Sequence, residues 1–266
     1  MEKELIKKLN KFYLDFSVGL YFNERIKQPR YSILYSKMID SFECNFALDL
    51  NVNNKIEFEE LYLEIKEKMK KMSKKPTFAI LPIQEFLYSN KDKLLKRFEI
   101  VSKEVWQVLD NFENIDSIKT DCNLNINLEL VTDYKKFAKI LLESFKGDEN
   151  DPYGELESGY LKIFDNYKNK DNGYVKEFYF IKNDNQIVGV TANVYDNEFF
   201  SIHSLAIKKE FRARGIGKEV LKQQLKMCKD KNLIAFIQTE DGFYPAKLYR
   251  KMGFRDVAIE YYYQEK

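Results

Sequence analysis

Leu205-Ala206-Ile207-Lys208-Lys209-Glu210-Phe211-Arg212-Ala213-Arg214-Gly215-Ile216-Gly217-Lys218 carries an apolar, strand-like run into a short basic turn, and two glycines then open an amphipathic helix. The pattern Arg212-x-x-Gly215-x-Gly217 gathers backbone N–H groups at a helix N-terminus. The first four donors there lack intrahelical acceptors, and the macrodipole is positive. Glycine at 215 and 217 removes the Cβ atoms that hold a bulky group off the backbone. Arg212 and Arg214 add charge to the same turn. Geometry and electrostatics both suit a phosphate-bearing ligand, a pyrophosphate in particular. The alternative is a tight strand-to-helix turn with solvated arginines.

Two other glycine loops that cradle phosphates do not fit. No Gly-Lys-Ser/Thr follows, and the acidic residue a dinucleotide fingerprint needs at the end of a strand is replaced by Lys229-Asp230-Lys231 at a helix end. Downstream, Leu233–Ile237 reads as a buried strand, and Ala246–Phe254 as a short helix closed by Gly253 at its C′ position. With both segments in order, the chain resembles the GNAT superfamily of acyl-CoA-dependent N-acyltransferases over roughly residues 124–266. That family's signature is Gln/Arg-x-x-Gly-x-Gly/Ala after a strand. About one strand and one helix later comes a Leu-Tyr-x-x-x-Gly-Phe-like segment, here Leu248-Tyr249-Arg250-Lys251-Met252-Gly253-Phe254.

The resemblance implies an α/β fold of the α+β type: a mixed, mostly antiparallel sheet flanked by helices. It implies acetyl-CoA as cosubstrate, no metal, and a primary amine of a small molecule or peptide as acceptor. Cofactor contacts are then expected from Leu205, Ala206 and Ile207, where the pantetheine arm would lie as a further strand beside the strand ending at Gln238. They are also expected from Arg212, Ala213, Arg214, Gly215, Ile216, Gly217 and Lys218 around the pyrophosphate. Tyr249 stands at the motif position that in many members protonates the departing thiolate; the alternative is a tyrosine that packs on the sulfur end of the cofactor. An acceptor amine has a pKa near 10, so a base or water chain must take its proton. His203, the only histidine, shares the alternating face Ser201, His203, Leu205, Ile207 and has a suitable pKa. A strand histidine that only hydrogen-bonds in the core is the alternative. Members with a glutamate base place it near position 201, which is Ser here, and the family's frequent Asn before the last helix is Phe243. The acceptor segment corresponds to Gly147–Glu157, with five carboxylates that would attract a cationic amine or simply stabilise a helix start.

Composition fits a soluble cytoplasmic protein. Lys and Arg number 44 against 42 Asp and Glu, a formal net charge of +2, so no global field draws the chain to nucleic acid. No apolar run approaches the ~20 residues of a membrane span, and the charged N-terminus lacks a signal-peptide core. Cys44, Cys122 and Cys228, odd in number and far apart, read as free thiols. The quaternary expectation is a monomer or homodimer.

A length of 266 residues suggests two domains, with Asn111–Asp121 as the linker and a boundary at 118/119. A shift of 156 residues carries Ile65 onto Leu221, Ala79 onto Ala235, Phe98 onto Phe254, Val101 onto Val257, Glu104 onto Glu260 and Trp106 onto Tyr262. Helix, strand, helix and strand all keep register, which reads as a tandem GNAT-like repeat. The same shift sets Ile56, Glu59, Leu61 and Lys93 against Arg212, Gly215, Gly217 and Tyr249. Glu and Leu at a helix mouth repel and block a pyrophosphate, so residues 1–118 read as a degenerate domain and 119–266 as the catalytic one. In the second half, helices are expected from an N-cap at Thr132 through Ser144, over 216–229 and over 244–252, with a loop and a further helix running over 147–168. Strands are expected over 175–182, 186–195, 199–207, 233–238 and 254–263.

Overall fold

The computed structural model describes residues 2–120, 122–145, 156–165 and 173–266. Most of the acceptor segment expected at 147–157 lies outside the described residues. Contacts divide the chain into two compact units. One holds the residues up to Trp106 together with Gln238–Gly242 and Asp256–Lys266; the other holds Gln107–Ile237 and Phe243–Arg255. A single cut after residue 118 therefore does not separate them, because the last strand belongs with the first unit.

The first unit begins with helix α1 (Glu2–Ser17), then strands β1 (Glu24–Lys27), β2 (Ser32–Tyr35) and β3 (Asn45–Leu48). Helix α2 (Lys55–Lys71), β4 (Thr77–Ile80), α3 (Glu85–Leu94) and β5 (Phe98–Leu109) follow. β3 and β4 pair in parallel. The strand beside β4 on its other edge is the C-terminal strand of the chain, β11 (Arg255–Glu265), antiparallel with Tyr262 opposite Ala79; β5 comes after it. β5 and β11 are equivalent under the 156-residue shift, and either satisfies the same apolar pattern beside β4.

Helix α2 forms because Phe58, Leu61, Tyr62, Ile65 and Met69 fall on one face at helical spacing, and all are buried. They pack on Phe78, Phe98 and Tyr263; Tyr62 meets Phe98 edge-on at 4.7 Å and Tyr263 stacks on Phe78 at 5.5 Å. Each such burial stabilises by about 1.5–3 kcal/mol, with aromatic geometry adding to it. The N-terminus of α2 is closed by its own side chains: Glu57 N–H donates to Asn54 Oδ1 at 3.0 Å, and Asn53 N–H donates to the Glu57 carboxylate at 2.8 Å. The helix starts five residues earlier than the shift requires. Glu59 and Leu61 thus stand inside it rather than at its mouth, with Leu61 buried and Glu59 paired to Arg97.

The second unit contains β6 (Ile126–Leu130), α4 (Tyr134–Ser144), α5 (Gly159–Asp165), the hairpin β7 (Val175–Asn183) and β8 (Gln186–Tyr195), β9 (Phe199–Ile207), α6 (Ile216–Asp230), most of β10 (Ile234–Glu240) and α7 (Tyr244–Lys251). Its strands lie in the order β10-β9-β8-β7-β6, antiparallel except for β9 with β10. Asp133, not Thr132, caps α4, its carboxylate accepting from Lys136 N–H at 3.0 Å. Gly253 sits at C′ of α7 with φ 97°, the left-handed conformation that favours glycine there. The segment expected to be a linker is docked: Ile115 is buried in this unit's core, and Asp116 pairs with Lys226 and Lys229 of α6. Among the described residues, no helix is long and apolar enough to cross a membrane, and none of the three cysteines is joined in a disulfide.

Candidate active site

Strand β9 positions the site through two irregularities. Its pairing with β10 stops at Ser201 opposite Phe236, although β9 continues to Ile207, so the two parallel strands part and, among the described residues, no strand pairs with that edge of residues 205–207. On the other edge β8 registers His203 with Ala192 and Ala206 with Val190, three residues against two. The extra residue is a bulge at Ser204, whose φ is 52°. Partners across a ladder share a face, so Ser201, His203 and Ala206 lie on one face, whereas Leu205 and Ile207 lie on the other with Phe200 and Ile202. The expected common face of His203, Leu205 and Ile207 is therefore broken at Ser204.

Beyond β9 the chain turns through Ala213 (φ 60°) and Gly215 (φ 75°) into α6. Gly215 is the N-cap and offers no side chain, so the first amides of α6 keep no capping acceptor, in contrast to α2. A Cβ at Gly217 would meet nothing within 4 Å. At Gly189, by contrast, a Cβ would collide with the carbonyl oxygen of Ala206, so this glycine lets β8 approach the end of β9. The arginines brace the turn. Arg212 donates from Nε to the Ile207 carbonyl at 3.1 Å and from Nη2 to the Ser144 carbonyl at the end of α4. Arg214, exposed, donates to the Glu210 carbonyl at 2.9 Å and lies over the Phe211 ring.

These elements enclose a cavity of about 500 Å³. All ten residues expected at the cofactor line it, Leu205–Ile207 and Arg212–Lys218, and so does Tyr249. Tyr249 is 9 % exposed, packed in the core beside Phe254 with ring centroids 5.9 Å apart. Ser144, Phe145 and Tyr244 are also part of the lining. Ser144 and Phe145 were invisible to sequence reasoning because only the fold brings the end of α4 to this loop. Phe243, at the N-cap of α7, makes no side-chain cap.

His203 is absent from that lining. Its Nε2 is 2.7 Å from Ser201 Oγ, and burial pushes its pKa down to about 4, leaving a neutral ring at physiological pH. Burial likewise pushes the Cys228 thiol up to about 12, which makes it an inert core residue. Among the described residues, no group of three or more His, Cys, Asp or Glu side chains is arranged to hold a metal ion.

The sequence profile of the acetyltransferase (GNAT) domain family matches residues 175–256, the stretch from β7 through α7 that builds this cavity. Residues 175–256 are a GNAT domain. No curated protein sequence matches the chain. Solved structures share its fold at low identity. A conserved protein of unknown function from Staphylococcus epidermidis is 16 % identical, with TM-score 0.65 over 93 % of this chain and 95 % of that one. A GCN5-related N-acetyltransferase from Kribbella flavida is 11 % identical, with TM-score 0.65 over 96 % and 94 %. A tandem GNAT protein from the clavulanic acid biosynthesis pathway is 12 % identical, with TM-score 0.62 over 88 % and 77 %. The similarity spans both halves, so the fold is that of these tandem proteins, and the family profile matches within the second half alone.

Proposed function

We propose that this protein is an N-acetyltransferase that moves the acetyl group of acetyl-CoA to a primary amine of a small molecule or peptide. The observation that carries this reading is the convergence, in one cavity, of the uncapped start of α6, the strandless edge of β9 and the Tyr249 ring. The residues fit the cofactor: Gly217 leaves open space where a side chain would intrude, and the amides after Gly215 offer donors at the positive end of a helix. Acetyl-CoA would supply the activated thioester. Residues 213–218 would hold its phosphates, the β9 edge would take its amide arm, and Tyr249 would donate a proton to the departing thiolate. We place this activity in the cytoplasm, with one cofactor site per chain, in the second half; the capped start of α2 favours a first half without one.

A non-catalytic protein that binds acyl-CoA is the second reading. It is favoured by His203, which is depressed to about 4 and already engaged with Ser201, a poor base for an ammonium. Thiol release from acetyl-CoA in the presence of an amine panel separates the two. If Tyr249 is the acid, Tyr249→Phe lowers turnover at least tenfold, within the about 10²–10⁴-fold range of positioned general acids, and leaves the acetyl-CoA dissociation constant nearly unchanged. A Phe variant that turns over at the parent rate makes Tyr249 a packing residue.

A further inference from the structure

Lys176, near the start of β7, is 7 % exposed. Lysine is almost never this deeply buried unless paired, yet among the described residues no carboxylate pairs with it and no hydrogen-bond acceptor engages it. Its cross-strand neighbour Val194 is apolar and fully buried, and Val194 in turn faces Ser201 of β9. The next row on the same face is Phe178, Ala192 and His203. Lys176 thus shares a face with the hydrogen-bonded Ser201–His203 pair, two strands or about 10 Å from Ser201. Glu177, the adjacent carboxylate, points to the opposite face, where the Tyr179 and Tyr195 hydroxyls donate to it at 2.7 and 3.1 Å. Burial lowers the Lys176 pKa without any charge partner to oppose it. An ammonium in this position lacks the anion that would offset its desolvation.

We propose that Lys176 holds an anionic group, a carboxylate or a phosphate, carried by the acceptor, so that the acceptor bears both an amine and an anion. The proposal rests on the acetyltransferase reading, for which it names the acceptor class. A lysine suits the role because its compact, strongly hydrated charge, on a residue only 7 % exposed, has little solvent and no carboxylate partner among the described residues until the anion arrives. Selectivity follows: a neutral analogue of the same acceptor leaves the ammonium buried and unpaired, which costs more than the loss of one contact.

Equilibrium binding to the CoA-loaded protein tests this separately from turnover. One arm compares free amino acids with their C-terminal amides, and a second compares phosphoethanolamine with ethanolamine. The expected result is that at least one anionic compound binds about tenfold or more tighter than its neutral counterpart, the low end for a hydrogen bond to a charged group. Lys176→Met should abolish that difference, and Lys176→Arg should restore part of it. The arm that discriminates identifies the anion. Equal binding of anionic and neutral partners in both arms overturns the proposal, as does a preference that survives Lys176→Met. Failure of thiol release with every amine would sink the enzyme reading and leave this binding result standing on its own.

Discussion

Gly217 isolates ligand binding from folding. A side chain there meets no protein atom, so Gly217→Ala should leave stability within about 0.5 kcal/mol of the parent, as for a surface change without a special mechanism. Gly217→Glu puts a carboxylate among the donors of α6 and should abolish acetyl-CoA binding in a calorimetric titration, while the thermal midpoint stays put. The same titration on the parent should give one site per chain. Gly215 is a harsher test, because its φ of 75° strains any L side chain there. The sequence names the glycines, the arginines and Tyr249 as one set, and all of them line a single cavity. The facing of β9 was not. A bulge at Ser204 carries no glycine or proline to announce it, and one extra residue turns Leu205 and Ile207 to the opposite face from His203.

Strand β11 brings a carboxylate into the core of the first unit. Glu260 is 1 % exposed, and Trp106 Nε1, Gln238 Nε2 and Tyr262 OH donate to the same oxygen, Oε2, at 3.1, 2.9 and 3.1 Å. Burial nevertheless dominates and pushes its pKa up to about 7. Beside it Glu104 is also raised, by burial and then by the Glu260 charge. The folded pKa exceeds the unfolded one, so the unfolded chain releases this proton first. The stability Glu260 contributes is complete below about pH 4.5 and is lost as pH rises through about 7. Glu260→Gln removes that dependence. The stability of the variant relative to the parent should therefore grow by on the order of 2–3 kcal/mol between pH 5 and 8, read as denaturant midpoints at each pH. A constant offset across that range would mean that Glu260 is ionised throughout. The pattern Phe-x-x-Val-x-x-Glu-x-Trp/Tyr exposed the kinship of β5 and β11 in the sequence, but nothing in it tells which of two like strands stands beside β4.

On the scale of the whole molecule, the first unit is not a contiguous piece of chain. Strand β4 is buried at all four of its residues and pairs with β11, which also supplies Tyr262 and Tyr263, 2 % and 3 % exposed. Removing two buried aromatics costs about 3–5 kcal/mol each, against a total domain stability of about 5–15 kcal/mol. A fragment of residues 1–118 should accordingly show no cooperative unfolding transition by circular dichroism, and a peptide covering residues 253–266 added in trans should restore one. A fragment that unfolds cooperatively without the peptide would mean β5 can close the sheet by itself. Tandem repetition could be inferred from a constant shift, because local pattern fixes element type and order. Partner choice depends on contacts far apart in the chain, and no local pattern records it.

That arrangement fixes a timetable for synthesis. Arg255 follows Ile80 by 175 residues, which at roughly 5–20 residues per second is a wait of about 9–35 s on the ribosome. Throughout that interval β4 is made but its neighbour is not, and a mostly apolar strand edge of the nascent first half stays open to whatever else can pair with it. The glycine-loop half, whose strands follow one another closely, can close sooner. In this chain the part made first is the part finished last.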